Sequence, residues 1–421
     1  MNTNKFQIPR DYYLNKLISQ KDNSKVKILT GMTGCGKNYT LSNIYKNYLL
    51  NIGVSEDHII HKDIEKDHIT DVKRLSEELK NITKSDETYY LFINKIHFLK
   101  NTTDVFFDLR YFDDRFDIYL TTDNSPSIPK ESDRKCEIIK FRPVSFNELY
   151  TVANTQFPCE EHDSFVLLNR YLSYGGLPSV LQSCDDDSKN KQINRILKNI
   201  IIKNILYLNK IQKREYLLNT LKILISNTGK LINPNRIRNI FSCEYKTDVS
   251  KTTLKKYIDS LEEYGLIEVL SRYDIDSHRI KTTPIKCYFP DLSVYNLTDN
   301  SYLIDENQKI PNLIFNELKC RGYSVTTGYV TSNEIDKSGK KIRNQLPVDF
   351  IVQHNTDTYY IQTKLSSDKP EDINLKIKAL NKIRDKDCKK VIISQEGSKP
   401  VPTQLGIEVI DLLEFLTKDS L

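Results

Sequence analysis

The chain has 421 residues, with 62 Lys plus Arg against 56 Asp plus Glu and a formal net charge of +6. That length predicts roughly two to four domains with ample core, and no apolar run approaches the ~18–20 residues a membrane span needs. The first residues carry no apolar signal core. The eight cysteines form no Cys-x-x-Cys pair, which argues against a structural zinc site and for a reduced, cytoplasmic setting.

In chain order, the first informative element is a short buried strand over Val26 to Leu29. It leads into Gly31-Met32-Thr33-Gly34-Cys35-Gly36-Lys37-Asn38. The pattern is a phosphate-binding loop with one altered letter. Gly31, Gly36 and Lys37 fit, but Asn38 stands where a Ser or Thr hydroxyl would hold Mg²⁺. Thr33, Gly34 and Cys35 complete the loop. Glycines let backbone N–H groups turn toward phosphate oxygens, and the helix expected over Leu41 to Leu50 adds its N-terminal partial charge. Lys37 would reach the β and γ phosphates.

The partner motif is an apolar strand ending in Asp-Glu, where Asp holds the metal shell and Glu orients the attacking water. Tyr89 to Ile93 supply such a strand, aromatic and β-branched. It ends in Asn94 and Lys95. Asn94 has no charge for a metal, and protonated Lys95 cannot act as a base, although its charge could stand in for the ion. The metal site is therefore expected to be degenerate and hydrolysis impaired.

Further motifs follow: Arg10-Asp11-Tyr12-Tyr13-Leu14-Asn15-Lys16-Leu17, Ile118-Tyr119-Leu120-Thr121-Thr122-Asp123-Asn124-Ser125, Arg134, Pro143-Val144-Ser145-Phe146-Asn147-Glu148, and Tyr171-Leu172-Ser173-Tyr174-Gly175-Gly176-Leu177-Pro178. With these the chain resembles the large prokaryotic family of AAA+-type ATPases that carry a C-terminal domain of unknown function. The resemblance implies a nucleotide-binding ATPase using ATP, with Asn124 at a sensor position and Arg134 as a sensor or finger. The family has basic residues where Thr33 and Gly34 stand, Ser or Thr at Asn38, and Asp-Glu at Asn94-Lys95.

From Ser188 to Ser260 the chain carries 16 Lys and Arg against four acids, although the whole chain is only +6. Helices are expected over Leu217 to Ser226, near Asn235 to Phe241, and from Ser250 to Tyr264. Gly265 to Leu270 would start a β wing. This reads as a winged helix-turn-helix, and the resemblance extends here. Lys251, Thr252, Lys255 and Lys256 would face a DNA groove or its phosphates.

Beyond Arg272, a helix over Asn312 to Lys319 precedes strands at Tyr323 to Thr327, Pro347 to Val352 and Tyr359 to Lys364, the last two joined at Asn355-Thr356-Asp357. Helix Glu, strand Asp, then Gln-x-Lys looks like a PD-(D/E)xK nuclease core. In that likeness Glu317, Asp349 and Gln362 would be oxygen donors, Asp349 the principal metal ligand, and Lys364 would steady water or phosphate. Gln362 and Lys364 share one strand face.

The expected fold class is α/β: a P-loop NTPase (AAA+-like) domain over 1–184, a helical linker and winged helix-turn-helix over 185–285, and a PD-(D/E)xK-like α/β domain over 286–421. The expected ligand is ATP. Mg²⁺ is doubtful at the loop and open at the nuclease-like site. DNA is the expected partner, no membrane contact is expected, and a homo-oligomer is left open. Against this stands an active enzyme, either an ATP-dependent DNA-processing protein or a metal-dependent nuclease.

Overall fold

The structure, a computed structural model, describes residues 8–70, 87–99, 114–124, 136–156, 163–209, 211–297, 306–335, 341–385, 387–395, 406–418 and 420–421, with 73, 75, 77 and 79 besides. Arg134 and Ser125 lie outside the described residues.

The N-terminal part is built on a five-stranded sheet in the order β2-β3-β4-β1-β5. Its strands are β1 Val26–Thr30, β2 Ile59–Asp63, β3 Tyr89–Asn94, β4 Phe116–Thr121 and β5 Cys136–Lys140. Every neighbouring pair is parallel. The three middle strands β1, β3 and β4 are buried along their whole length. A parallel strand covered on both faces is mainly apolar on both, so these runs read as near-continuous rather than alternating; the buried pair Lys27 and Asp117 is the charged exception. Ile28, Leu91 and Ile118 pack on one face, while Leu29, Phe92 and Tyr119 pack on the other.

That strand order sets the geometry of the loop after β1. The end of β4 lies beside it on one side and the end of β5 on the other, with β3 one strand further away. The helix after the loop starts at Lys37, earlier than its apolar spacing predicts. It runs through a π-helical stretch Thr40–Tyr45 before closing over Lys46–Asn51.

A helical layer follows, through Phe146–Gln156, Ser164–Tyr174 and Asp186–Asn199, the last extended by the π-helical segment Ile200–Leu208. Asp163 and Asp185 cap their helices by accepting from Phe165 N and Ser188 N, each at 2.8 Å. Such caps satisfy N–H groups that the helix itself cannot.

Three helices, Arg214–Ser226, Pro234–Glu244 and Lys251–Glu263, then lead to an antiparallel hairpin of β6 Glu268–Asp274 and β7 Arg279–Tyr288. The turn between the first two helices bridges to the hairpin through Ile232 and Ile285. The hairpin does not stand alone. β6 pairs in parallel with β8, Arg272 opposite Thr327. The result is one seven-stranded sheet, β12-β11-β10-β9-β8-β6-β7. Its remaining strands are β8 Ser324–Ile335, β9 Lys341–His354, β10 Asp357–Lys364, β11 Cys388–Ser394 and β12 Ile407–Asp411. The division drawn from sequence between 285 and 286 thus falls inside β7.

β9 and β10 are antiparallel, as their turn predicts. β8 and β9 both run longer than their apolar cores suggested, because their far ends pair with each other out to Ile335 and Lys341.

Candidate functional site

The loop wraps as its glycines require. Gly31 has φ +141°, and a Cβ there would collide with the Phe141 carbonyl at the end of β5. Gly36, at φ +103°, turns the chain into the helix that Lys37 opens. Only glycine adopts such angles freely. Cys35 is fully buried, so it fills the loop rather than offering a thiol to solvent.

Lys37 is buried, and its Nζ donates to Gly31 O at 2.6 Å and Met32 O at 3.1 Å. It also pairs with Asp123 Oδ1 at 2.8 Å. Asp123 lies just past β4. Its Oδ2 accepts from Thr33 Oγ1 at 2.6 Å and from Asn204 Nδ2 at 3.3 Å. The Asp123 N–H donates to His97 Nδ1 at 3.2 Å, which leaves that ring its proton on Nε2, 3.7 Å from Asp123 Oδ2. Burial works to raise the Asp123 carboxyl, but Lys37 and His97 outweigh it and hold it at about 2.

Asn94 and Lys95 sit at the end of β3, as the sequence reading places them. Thr121 Oγ1 donates to Asn94 Oδ1 at 3.3 Å and accepts from Lys95 N at 3.1 Å. Lys95 takes a left-handed backbone, φ +61°, and its Nζ pairs with Glu65 Oε2 at 2.8 Å and Asp63 Oδ2 at 3.3 Å. Asp63 is the β2 residue directly opposite Asn94. The acidic charge absent from β3 therefore reappears on the neighbouring strand and neutralises the lysine. Burial lowers the Lys95 ammonium, but Glu65 and Asp63 reverse this and raise it, so it stays charged.

A cavity of about 420 Å³ opens over the loop, lined by Thr33, Gly34, Gly36, Lys37 and Asn38 together with Lys95 and Asp123. Ile8, Arg10, Tyr39, Pro178, Gln182 and Arg195 line it as well. The Gly175-Gly176-Leu177-Pro178 turn is pinned from the C-terminal side, where buried Asp291 accepts from Gly176 N at 2.8 Å. Asn124 faces elsewhere. Its Nδ2 donates to Glu263 at 3.4 Å, beside a second cavity lined by Glu262 and Glu268.

Divalent metal does not fit the loop. Mg²⁺ wants hard, largely anionic oxygen donors in octahedral array. The loop offers the Asn38 amide, an Asn94 amide already bonded to Thr121, a charged Lys95, and an Asp123 held by Lys37.

On helix Lys251–Glu263, Leu254, Tyr257, Ile258 and Leu261 are buried while Lys251, Thr252, Lys255 and Lys256 are exposed. Ser250 caps it, accepting from Thr253 N at 3.0 Å. No acid occupies the first turn. Lysines at a helix N-terminus oppose the macrodipole, so this placement costs stability and concentrates positive charge.

The nuclease-like residues are only partly assembled. Where β9 and β10 part, Asp349 N donates to Gln362 Oε1 at 3.3 Å and Gln362 Nε2 donates to Pro347 O at 2.8 Å. Asp349 Oδ2 accepts from Thr363 N and Oγ1, at 3.0 and 2.9 Å, and Oδ1 pairs with buried Lys286 Nζ at 3.4 Å. Burial raises this carboxyl, but Lys286 and Lys376 draw it below its usual range. Lys364 ends β10, half-buried. Glu317 is engaged elsewhere. It accepts from Phe146 N at 3.2 Å and pairs with Arg321 at 3.3 Å, and burial pushes it up to about 7. The donors thus reduce to one carboxylate already saturated by protein groups, which does not fit a divalent ion. Among the described residues no group of three or more His, Cys, Asp or Glu is placed to hold a metal, and no helix is long and apolar enough to cross a membrane.

Sequence reasoning missed Asp123, His97, Asn204, Arg195 and Lys286. Only Asp123 left a trace, as a charged residue at the end of a buried strand.

A domain of unknown function, DUF8612, matches residues 166–302. An uncharacterised protein of Haemophilus influenzae is 28% identical over 425 residues, covering 98% of this chain and 99% of the relative. An uncharacterised protein of Methanocaldococcus jannaschii, MJ1544, is 22% identical over 412 residues, 93% of this chain and 87% of that one. Among solved structures, the Walker-type ATPase of Pyrococcus abyssi overlaps 69% of this chain and 95% of its own, with TM-score 0.44 and 13% identity. The Aeropyrum pernix ORC1 protein, solved in complex with DNA, overlaps 70% and 94%, with TM-score 0.32 and 13% identity.

Proposed function

We propose that this chain is an AAA+-like nucleotide-binding protein whose hydrolysis is impaired, and that it engages DNA through the basic helix Lys251–Glu263. The observation that carries the nucleotide reading is the composition of the cavity over the loop. Arg10, Lys37, Lys95 and Arg195 line it, with Asp123 the one carboxylate in the lining. Phosphates need counter-charge, and the loop N–H groups and Arg195 are placed to supply it, while Lys37, Lys95 and Arg10 already face Asp123, Glu65 with Asp63, and Glu148. The apolar lining residues Ile8, Pro178 and Ile196, with the Gln182 amide, suit a base.

The test is nucleotide binding by equilibrium titration in Mg²⁺ and in EDTA. Affinity is expected to agree within about threefold between the two, and Lys37→Ala to weaken it at least ~10-fold, about 1.4 kcal/mol. Binding that vanishes in EDTA overturns the metal-free reading.

The DNA reading rests on the exposed lysines at an uncompensated helix N-terminus, with three helices and a hairpin in winged helix-turn-helix order. Affinity for duplex DNA is expected to fall steeply with salt. Replacing Lys251, Lys255 and Lys256 by Ala should lower the salt slope by about one unit for each phosphate that a lysine no longer neutralises. An unchanged slope places DNA on another surface.

A metal-dependent nuclease is the second reading, favoured only by the junction of Asp349 and Gln362 where β9 and β10 part. Lys286 on Asp349 stands against it, because an ammonium holds the place a metal would take.

A further inference from the structure

We infer that Asp123 makes the cavity selective for a nucleoside diphosphate over a triphosphate. This rests on the nucleotide reading above and names its ligand. Lys37 is the loop group that would reach the terminal phosphates. In this chain its Nζ is already paired with Asp123 Oδ1 at 2.8 Å. The carboxylate is built in rather than stray. Thr33 of the loop donates to it at 2.6 Å, and Asn204 reaches it from the helical layer at 3.3 Å. His97 presents its protonated Nε2 3.7 Å away. Thr33, Lys37 and Asp123 all line the cavity itself.

A fixed anion on the lysine's tip sits where the outermost phosphate would bond. A γ-phosphate entering there meets like charge in a partly desolvated site, where Coulomb terms are least screened. It must also displace the Asp123–Lys37 bond. An α,β-diphosphate can use the loop N–H groups and leave that bond intact. The low proton affinity of Asp123 keeps its charge in place throughout the neutral range. Elsewhere a divalent ion would relieve such repulsion, but Asn38 and Asn94 replace the groups that would help hold one.

The opposite use of the same carboxylate is as a substitute metal ligand, and the two part on one experiment. ADP and ATP are titrated into the natural full-length protein and into Asp123→Asn, each in EDTA and in Mg²⁺. The natural protein is expected to bind ADP at least ~10-fold more tightly than ATP in EDTA. Asp123→Asn is expected to close that gap by tightening ATP, with ADP nearly unchanged. Equal affinities in the natural protein, or tighter ATP, overturn the inference. So does a gap that persists in Asp123→Asn, or a variant that loses ATP only in Mg²⁺, the mark of a metal ligand. Asp123→Ser, read beside a thermal melt, guards against misfolding, since it removes charge and bulk together and must close the gap likewise. If the natural protein binds neither nucleotide, the nucleotide reading itself fails and this inference falls with it.

Discussion

A variant carrying Asn38→Thr, Asn94→Asp and Lys95→Glu is expected to turn over Mg·ATP at least ~10³-fold faster than the natural protein, about 4 kcal/mol of barrier. The argument is local. Thr at 38 restores a metal-binding hydroxyl at the start of the helix, Asp at 94 restores charge at the end of β3, and Glu at 95 restores a group that can orient water. The scaffold around them is in place, because β3 is fully buried and in register with β2 and β4. The repair has a cost that makes a second readout. Glu65 and Asp63 now pair with Lys95. With Glu in its place, carboxylates crowd one strand end and repel until a cation arrives. The repaired variant should therefore melt lower without Mg²⁺ and gain stability when it is added, whereas the natural protein should respond little. A natural protein that hydrolyses ATP as fast as the variant would mean that another residue supplies the base. A variant that binds Mg·ATP yet stays inert would mean that the left-handed turn at Lys95 has moved the base out of line.

The features legible in sequence were those encoded locally. Gly31, Gly36 and Lys37 announce a phosphate loop because their spacing is itself the geometry. Tyr89 to Ile93 read as a buried strand for the same reason. The helix Lys251–Glu263 was bounded within a residue of its Ser250 cap because capping is a short-range bond. What sequence could not show were the partners brought from far along the chain. Asp123 meets Thr33 across 90 positions, and Asn204 meets Thr33 across 171. Glu317 sits on a helix of the right kind for a metal ligand, but the tertiary fold turns it to Phe146 N, 171 residues away. The joining of β6 to β8 was equally hidden. A β-hairpin has the same alternating pattern whether it stands alone or edges a larger sheet.

Truncating Asp117 to Ala is expected to destabilise the protein by about 3–5 kcal/mol, the cost of leaving a buried charge unpaired. Lys27 on β1 is wholly buried, and its ammonium is paired with Asp117 on the neighbouring β4. Asp117 Oδ2 also accepts from Tyr119 Oη at 2.8 Å and from Asp22 N at 3.1 Å, and Tyr119 Oη lies 2.6 Å from Tyr45 Oη. Removing the carboxylate strands all of these donors at once. Replacing both partners by Lys27→Met and Asp117→Leu should recover most of that loss, since no buried charge is then left unpaired, while Tyr119 Oη and Asp22 N still lose an acceptor. The pH dependence of Asp117→Ala carries the sign of the argument. Burial already lowers the Lys27 ammonium, and without Asp117 to oppose it the folded-state value falls further below the unfolded one. Between those values the unfolded chain holds the extra proton, so stability rises with pH. The deficit of Asp117→Ala measured by urea unfolding should shrink as pH climbs toward the unfolded lysine's value of about 10.4. A deficit under ~1 kcal/mol, or one flat with pH, would show that Lys27 reaches water and that the pair carries little. The consequence reaches the site, because β1 delivers the loop with Lys37 and β4 delivers Asp123. The Lys27–Asp117 pair ties together the two strands whose ends must hold Lys37 and Asp123 at 2.8 Å for the cavity to keep its charge.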